Sequence, residues 1–264
     1  MNIHLLGIDC QVDFCNPSGK LFVAGADKDM LRLAAMIKRL SKKINKIHMT
    51  LDSHDTIHIA HPIFLVDSNG NHPKPFTLIS EEDVLKGTWR ATRMAYQERL
   101  IKYVKTLKAN GRYVLVCWPP HCITATSGWC LTNEINEALE IWCKDHFDKI
   151  DYVVKGVNPL TEHYSIVKAD VIDDTDPSTM INTELIKTLS EADVLLIAGE
   201  ALSHCVANSV IDIADLFGEE NIKKIILLED CSSSVSGFEN LGKDFVTSMV
   251  KRGMKIAKST DFLA

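Results

Sequence analysis

The 264-residue chain has no run of about 20 apolar residues, so a membrane-spanning helix is excluded. Its eight cysteines, Cys10, Cys15, Cys117, Cys122, Cys130, Cys143, Cys205 and Cys231, form no CxxC pair. That removes the zinc-knuckle and dithiol redox readings and leaves reduced thiols as the expectation. Lys and Arg nowhere cluster into a stripe, and the net charge is −6, so a nucleic-acid partner is not expected either. There is no GxSxG, P-loop or dinucleotide glycine fingerprint to nominate a serine hydrolase or a nucleotide enzyme. The opening stretch MNIHLLGIDCQVDF has a short apolar run without a basic segment. It reads as a first strand, not as a signal peptide, and a cytoplasmic location follows as the expectation. With no low-complexity tract and no break in composition, one domain over residues 1–264 is expected.

What is present is an alternation of strands and helices. Ile3 to Ile8, Ile47 to Leu51, Tyr113 to Cys117, Tyr152 to Val154, Val194 to Ala198 and Ile222 to Leu228 read as strands. Residues 27–43, 93–108, 131–142, 183–190 and 238–252 carry apolar residues at helical spacing. This pattern predicts an α/β fold, a Rossmann-like three-layer αβα sandwich around a mainly parallel sheet of about six strands. Residues 63–90, rich in Asn, Gly and Pro, read as an excursion over one end of that sheet.

The chemistry-bearing residues fall where strands end, which in open parallel sheets is the side of the ligand crevice. Asp9 closes the first strand, Lys155 the short Tyr152–Val154 strand. Cys205 follows the turn after Val194–Ala198, close to a helix start, where free N–H groups and the helix dipole favour thiolate. An acid, an ammonium and a thiol on one crevice make a nucleophilic triad by type. The GEALSHC turn can offer two backbone N–H donors to an oxyanion. Asp52 and His54 alternate around Ser53, so in extended backbone they project from one face, as two ligands of one metal need. His58 and His61 lie in the same segment. WPPHC (residues 118–122) holds Trp118 and His121 on a backbone stiffened by two prolines.

Five motifs in order, IDCQVDF, TLDSH, WPPHC, VVKG and GEALSHCV, resemble those of the isochorismatase-like cysteine hydrolases, most closely the nicotinamidase branch. The resemblance implies a Cys205–Asp9–Lys155 triad and one divalent metal held by Asp52, His54 and His121, with His58 and His72 as rival ligands. Zinc is the first choice of metal, iron and manganese the alternatives. It also implies Phe14 and Trp118 as walls of a pyridine pocket. A cis peptide at Glu200–Ala201 is implied too, aiming the N–H groups of Ala201 and Cys205 at one oxyanion. The expected activity is hydrolysis of a small amide, nicotinamide first, in a cytoplasmic homo-oligomer serving pyridine nucleotide salvage. Three departures mark this chain. Glu200, Leu202 and Ser203 replace the usual residues around the nucleophile turn. The 63–112 segment lengthens the chain, and TEHYS places Glu162 and His163 after the lysine. These leave two alternatives: a hydrolase of another small amide or carbamoyl compound on the same triad, and a non-catalytic, metal-stabilised small-molecule binder.

Overall fold

The computed structural model describes residues 1–263, and its centre is a six-stranded sheet in which every pairing is parallel. Across the sheet the order is Lys255–Ala257, Ile225–Leu228, Val194–Gly199, Ile3–Ile8, Lys46–Asp52 and Asp151–Lys155. The two middle strands, IHLLGI and VLLIAG, are apolar on both faces except at His4, which meets His48 of the next strand, and are almost wholly buried, as a parallel strand covered on both sides must be. Helix Ala26–Leu40 buries Met30, Leu33, Ala34, Ile37 and Leu40 along one stripe. It carries Asp27 and Asp29 in its first turn and Lys38 and Arg39 in its last, the arrangement its dipole favours. It packs on helix Asn133–His146, whose Trp142 indole donates to the Ile44 carbonyl at 2.8 Å.

Topology places the crevice. From Ile3–Ile8 the chain crosses over to Lys46–Asp52 on one side, and from Val194–Gly199 to Ile225–Leu228 on the other. Right-handed crossovers running in opposite directions put their helices on opposite faces of the sheet, which gives the three layers. Connections diverge beyond the carboxyl ends of the two middle strands, and that divergence leaves a crevice there. At this point the backbones approach closely: Gly199 has φ +109°, and a Cβ on it would lie 2.0 Å from the Ile8 carbonyl oxygen, so only glycine fits.

Two strands differ from the sequence reading. Tyr113–Cys117 does not enter the central sheet; only Leu115–Val116 is extended, and it pairs antiparallel with Leu78–Ile79 from the excursion. That partner takes its ladder hydrogen bonds before the sheet edge can, and Pro119 and Pro120 stop further pairing. The sixth place in the sheet is filled instead by Lys255–Ala257, a three-residue exposed edge strand too short to show a period. The excursion is not structureless: it carries an antiparallel pair, Leu65–Val66 with Arg90–Ala91, a short helix Glu81–Leu85 capped by Ser80, and then helix Gln97–Asn110. No described helix is long and apolar enough to cross a membrane.

Candidate active site

Register brings the first pair of functional groups together. Asp52 and Lys155, each the last residue of its strand, are direct neighbours across the ladder, and Lys155 Nζ lies 2.8 Å from Asp52 Oδ1. The same Nζ lies 3.0 Å from Asp9 Oδ2 and 3.6 Å from Cys205 Sγ. One buried ammonium therefore joins both carboxylates and the thiol. Asp9 follows its strand in left-handed backbone, φ +48°, a conformation that an Asp tolerates and that is frequent at functional positions. Its N–H donates to Thr50 Oγ1 at 2.9 Å, and the Thr50 hydroxyl donates back to Asp9 Oδ1.

Charge is distributed unevenly in this cluster. Burial pushes the Asp9 carboxyl up, against the pull of Lys155, so Asp9 can hold a proton. Burial acts on Asp52 too, but His54 and Lys155 outweigh it and hold that carboxyl well below the usual range. Burial also works against the Lys155 ammonium, and Asp52 and Asp9 reverse it, keeping Lys155 charged. The Cys205 thiol departs from the sequence expectation. Burial raises it well above an ordinary thiol, and Lys155 only partly compensates. The cysteine sits inside a π-helical turn, Leu202–Val206, that leads into helix Ala207–Phe217, so the helix start lies just beyond it. At rest Cys205 is a thiol near the Asp9 carboxyl, not a preformed thiolate.

Beyond Lys155 lies a histidine cluster. Asp52, His54 and His121 bring one ligand atom each within 4.8 Å of one another, all buried; His54, His58 and Glu162 form a second such group. His54 Nε2 is 3.0 Å from Asp52 Oδ2 without the alignment of a hydrogen bond, and both ring nitrogens of His54 lack hydrogen-bond partners. Unpartnered, converging donor atoms at full burial fit a cation held between them. His121 Nδ1 is set by the Pro119 carbonyl at 2.8 Å. His58 is engaged by the backbone on both sides: Nε2 meets the Thr161 carbonyl, and Nδ1 accepts from the Ala60 N–H. That makes it the weaker ligand candidate. His61 lies edge-on to the cluster, its ring centroid 5.5 Å from that of His54. His72 joins neither group and bonds the Leu65 carbonyl. Two residues not singled out in the sequence hold this arrangement. The Gln11 amide bonds both the Asp52 N–H and carbonyl at 2.8 Å, and Asp13 Oδ2 accepts from the Cys122 N–H at 2.7 Å, tying down the WPPHC loop.

A small pocket opens on Cys205. Asp52, His121 and Glu162 are its polar side; Phe14, Leu21, Trp118, Tyr164, His204 and Val235 wall it. Phe76 of the excursion lies edge-on to Trp118, centroids 5.7 Å apart, so the excursion reaches the pocket wall. Glu200 turns away from it, buried against Ser233, whose N–H donates to Glu200 Oε2. His163 Nδ1 accepts from the Gly156 N–H and does not line the pocket. The Glu200–Ala201 peptide is cis, and among the described residues the Ala201 N–H finds no acceptor. A larger cavity of about 520 Å³ lies elsewhere, where Arg112 pairs with Asp212 at 2.6 Å; it holds no nucleophile.

No protein-family model and no curated protein matches the sequence. Solved structures do match, over nearly the whole chain. The Acinetobacter baumanii nicotinamidase/pyrazinamidase is 21% identical with a TM-score of 0.65, covering 99% of this chain and 98% of its own. The yeast nicotinamidase is 18% identical with a TM-score of 0.66, covering 97% and 99%. The chain shares the nicotinamidase fold. The Pyrococcus horikoshii pyrazinamidase, solved in complex with zinc, has it as well, at 19% identity and a TM-score of 0.57 over 98% and 99% of the two chains.

Proposed function

We propose that the protein is a cysteine amidohydrolase that converts a small ring carboxamide of the nicotinamide type to the acid and ammonia. The observation that carries this reading is the single Lys155 ammonium in contact with Asp9, Asp52 and Cys205, the last two lining an aromatic-walled pocket. The Cys205 thiol gives its proton to Asp9 as sulfur attacks the carboxamide carbon. The oxygen that gains charge is received by the N–H groups of Ala201 and Cys205. Asp9 then returns the proton to the departing nitrogen, ammonia leaves, and a thioester remains on Cys205. Water hydrolyses the thioester, Asp9 taking its proton and restoring the thiol. Lys155 stays charged throughout and stabilises sulfur as its proton moves.

Asp52, His54 and His121 would hold the divalent metal. One carboxylate and two imidazoles suit zinc, with iron or manganese as alternatives, and the zinc in the Pyrococcus horikoshii pyrazinamidase favours that choice. When bound, the metal supplies a Lewis acid with open positions for a ring heteroatom or water. Phe14 and Trp118 would sandwich the ring. Ammonia release across a panel of small amides tests the reading, with Cys205→Ala as control. Activity on at least one ring carboxamide, lost in the variant, is expected. If Cys205→Ala keeps a tenth of wild-type turnover, covalent catalysis is wrong. If no amide of the panel is cleaved, the protein is a binder.

A further inference from the structure

The residue just before the nucleophile is the polar exception in an otherwise apolar wall. His204 is 2% exposed and its ring is boxed by Tyr113, Trp118, Tyr164 and Phe238, with centroids 5.0 to 5.4 Å away. The other polar tips of this wall are satisfied by each other, the Trp118 indole N–H donating to the Tyr164 hydroxyl at 2.9 Å. His204 is satisfied on one side alone. Its Nδ1 is 2.9 Å from Ser203 Oγ, while its Nε2 is buried with no partner. Ser203 fixes which nitrogen carries the proton. Its oxygen already accepts from the Val235 N–H at 3.1 Å, and among the described residues its hydroxyl hydrogen has His204 Nδ1 as its acceptor. Nδ1 is then the accepting nitrogen and Nε2 carries the hydrogen. Burial lowers the His204 pKa to about 4, so the ring is neutral near pH 7 and Nε2–H is a lone donor.

A buried donor without an acceptor costs free energy that a ligand can return, so a site built this way discriminates between ligands with and without an acceptor. We propose that His204 is the specificity-determining residue of the pocket, donating from Nε2–H to an acceptor on the ring edge of the substrate turned away from the Asp52–His121 side. The preferred substrate is a flat ring carboxamide with two ring acceptors, not one. This inference rests on the amide reading above. His204 takes no part in the bond changes at sulfur and acts by selecting the ring.

The decisive pair is pyridine-3-carboxamide and pyrimidine-5-carboxamide, equal in size and differing by one ring nitrogen. Ammonia release by the wild-type protein should favour the pyrimidine by about tenfold in kcat/KM, carried mainly by KM, the worth of one hydrogen bond to a buried donor. In His204→Phe the ratio of pyrimidine to pyridine kcat/KM should fall to about one, whatever the change in each rate taken alone. His204→Gln, which keeps an N–H donor, should retain part of it. Thermal melts of both variants show whether they fold. If His204→Phe does not fold, His204→Gln and the imidazole nitrogen-15 shifts of the wild-type protein decide, and the latter should show the Nε2–H tautomer. Equal use of both amides by the wild type, or an Nδ1–H ring, overturns the role of His204 and leaves amide hydrolysis standing. Failure to cleave any panel amide overturns the amide reading, and this inference with it.

Discussion

Gly156 gives the sharpest test of how the candidate metal-ligand cluster is built. It follows Lys155 with φ +79°, and a Cβ there would lie 2.8 Å from Asp52 Oδ1 and 3.1 Å from His54 Cε1. Gly111, just after helix Gln97–Asn110, has a similar φ of +69° with nothing within 4 Å of its would-be Cβ. Both alanine variants meet the left-handed penalty of about 1–2 kcal/mol, partly offset by about 0.4–1 kcal/mol from a stiffer unfolded chain. Gly111→Ala should therefore lose about 1 kcal/mol. Gly156→Ala must also move Asp52, which cannot swing aside freely. Its backbone is held by Gln11 at 2.8 Å on both sides, and its Oδ1 is 2.8 Å from Lys155. Losing that charged contact adds about 1.5–3 kcal/mol, so the difference between the two variants should be about 2 kcal/mol in urea unfolding. Zinc affinity, measured by competition with a chromophoric chelator, should fall about 10–100-fold in Gly156→Ala, the usual effect of disturbing the support of a ligand. It should be unchanged in Gly111→Ala. Equal stability losses together with unchanged zinc affinity in Gly156→Ala would refute the placement of the cluster against this turn.

Lys155→Met leaves Asp9 and Asp52 facing each other without their cation, so a stability loss of about 3–5 kcal/mol and a marked slowing of Cys205 alkylation are expected. Urea melts and iodoacetamide kinetics check both. Metal analysis should find His121→Ala depleted and His72→Ala loaded; the reverse result would move the ligand set to His72. Stability should fall as the solution is acidified. The folded pKa of His204 lies at about 4 and an unfolded histidine near 6.5, so between these values only the unfolded chain takes up the proton. That stability is fully present above about pH 6.5 and fades as pH falls towards 4. From pH 7 to 5 this one group accounts for roughly 2 kcal/mol, and His204→Phe should show a correspondingly shallower pH dependence in urea melts.

The central strands are legible in the sequence because a parallel strand covered on both faces must be almost wholly apolar, and Val194–Gly199 and, His4 apart, Ile3–Ile8 are. The ends of these strands and of Lys46–Asp52 and Asp151–Lys155 then point to Asp9, Cys205, Asp52 and Lys155 as neighbours of one crevice. What the linear pattern does not carry is register. That Lys155 pairs with Asp52 as well as with Asp9 depends on the alignment of strands about a hundred residues apart. Tyr113–Cys117 has the apolar run of a core strand, and nothing local says that Leu78–Ile79 will take its edge. The protonation of the Cys205 thiol is hidden for a related reason: its helix-start position is local and visible, whereas the burial that opposes ionisation is assembled by distant segments. The same holds for His204, whose aromatic box comes from residues 113, 118, 164 and 238.

The pairing of Ile3 with Val194 has a consequence for how the molecule comes into being. On a ribosome adding about 5–20 residues per second, the first strand waits roughly 10–40 s for the neighbour that fills the middle of the sheet. Through that interval Ile3–Ile8 can pair with Lys46–Asp52, but its other edge is a bare row of N–H and C=O groups flanked by apolar side chains. The nascent chain is thus most exposed to edge-to-edge association at the place that becomes, once Val194–Gly199 arrives, its most deeply buried seam.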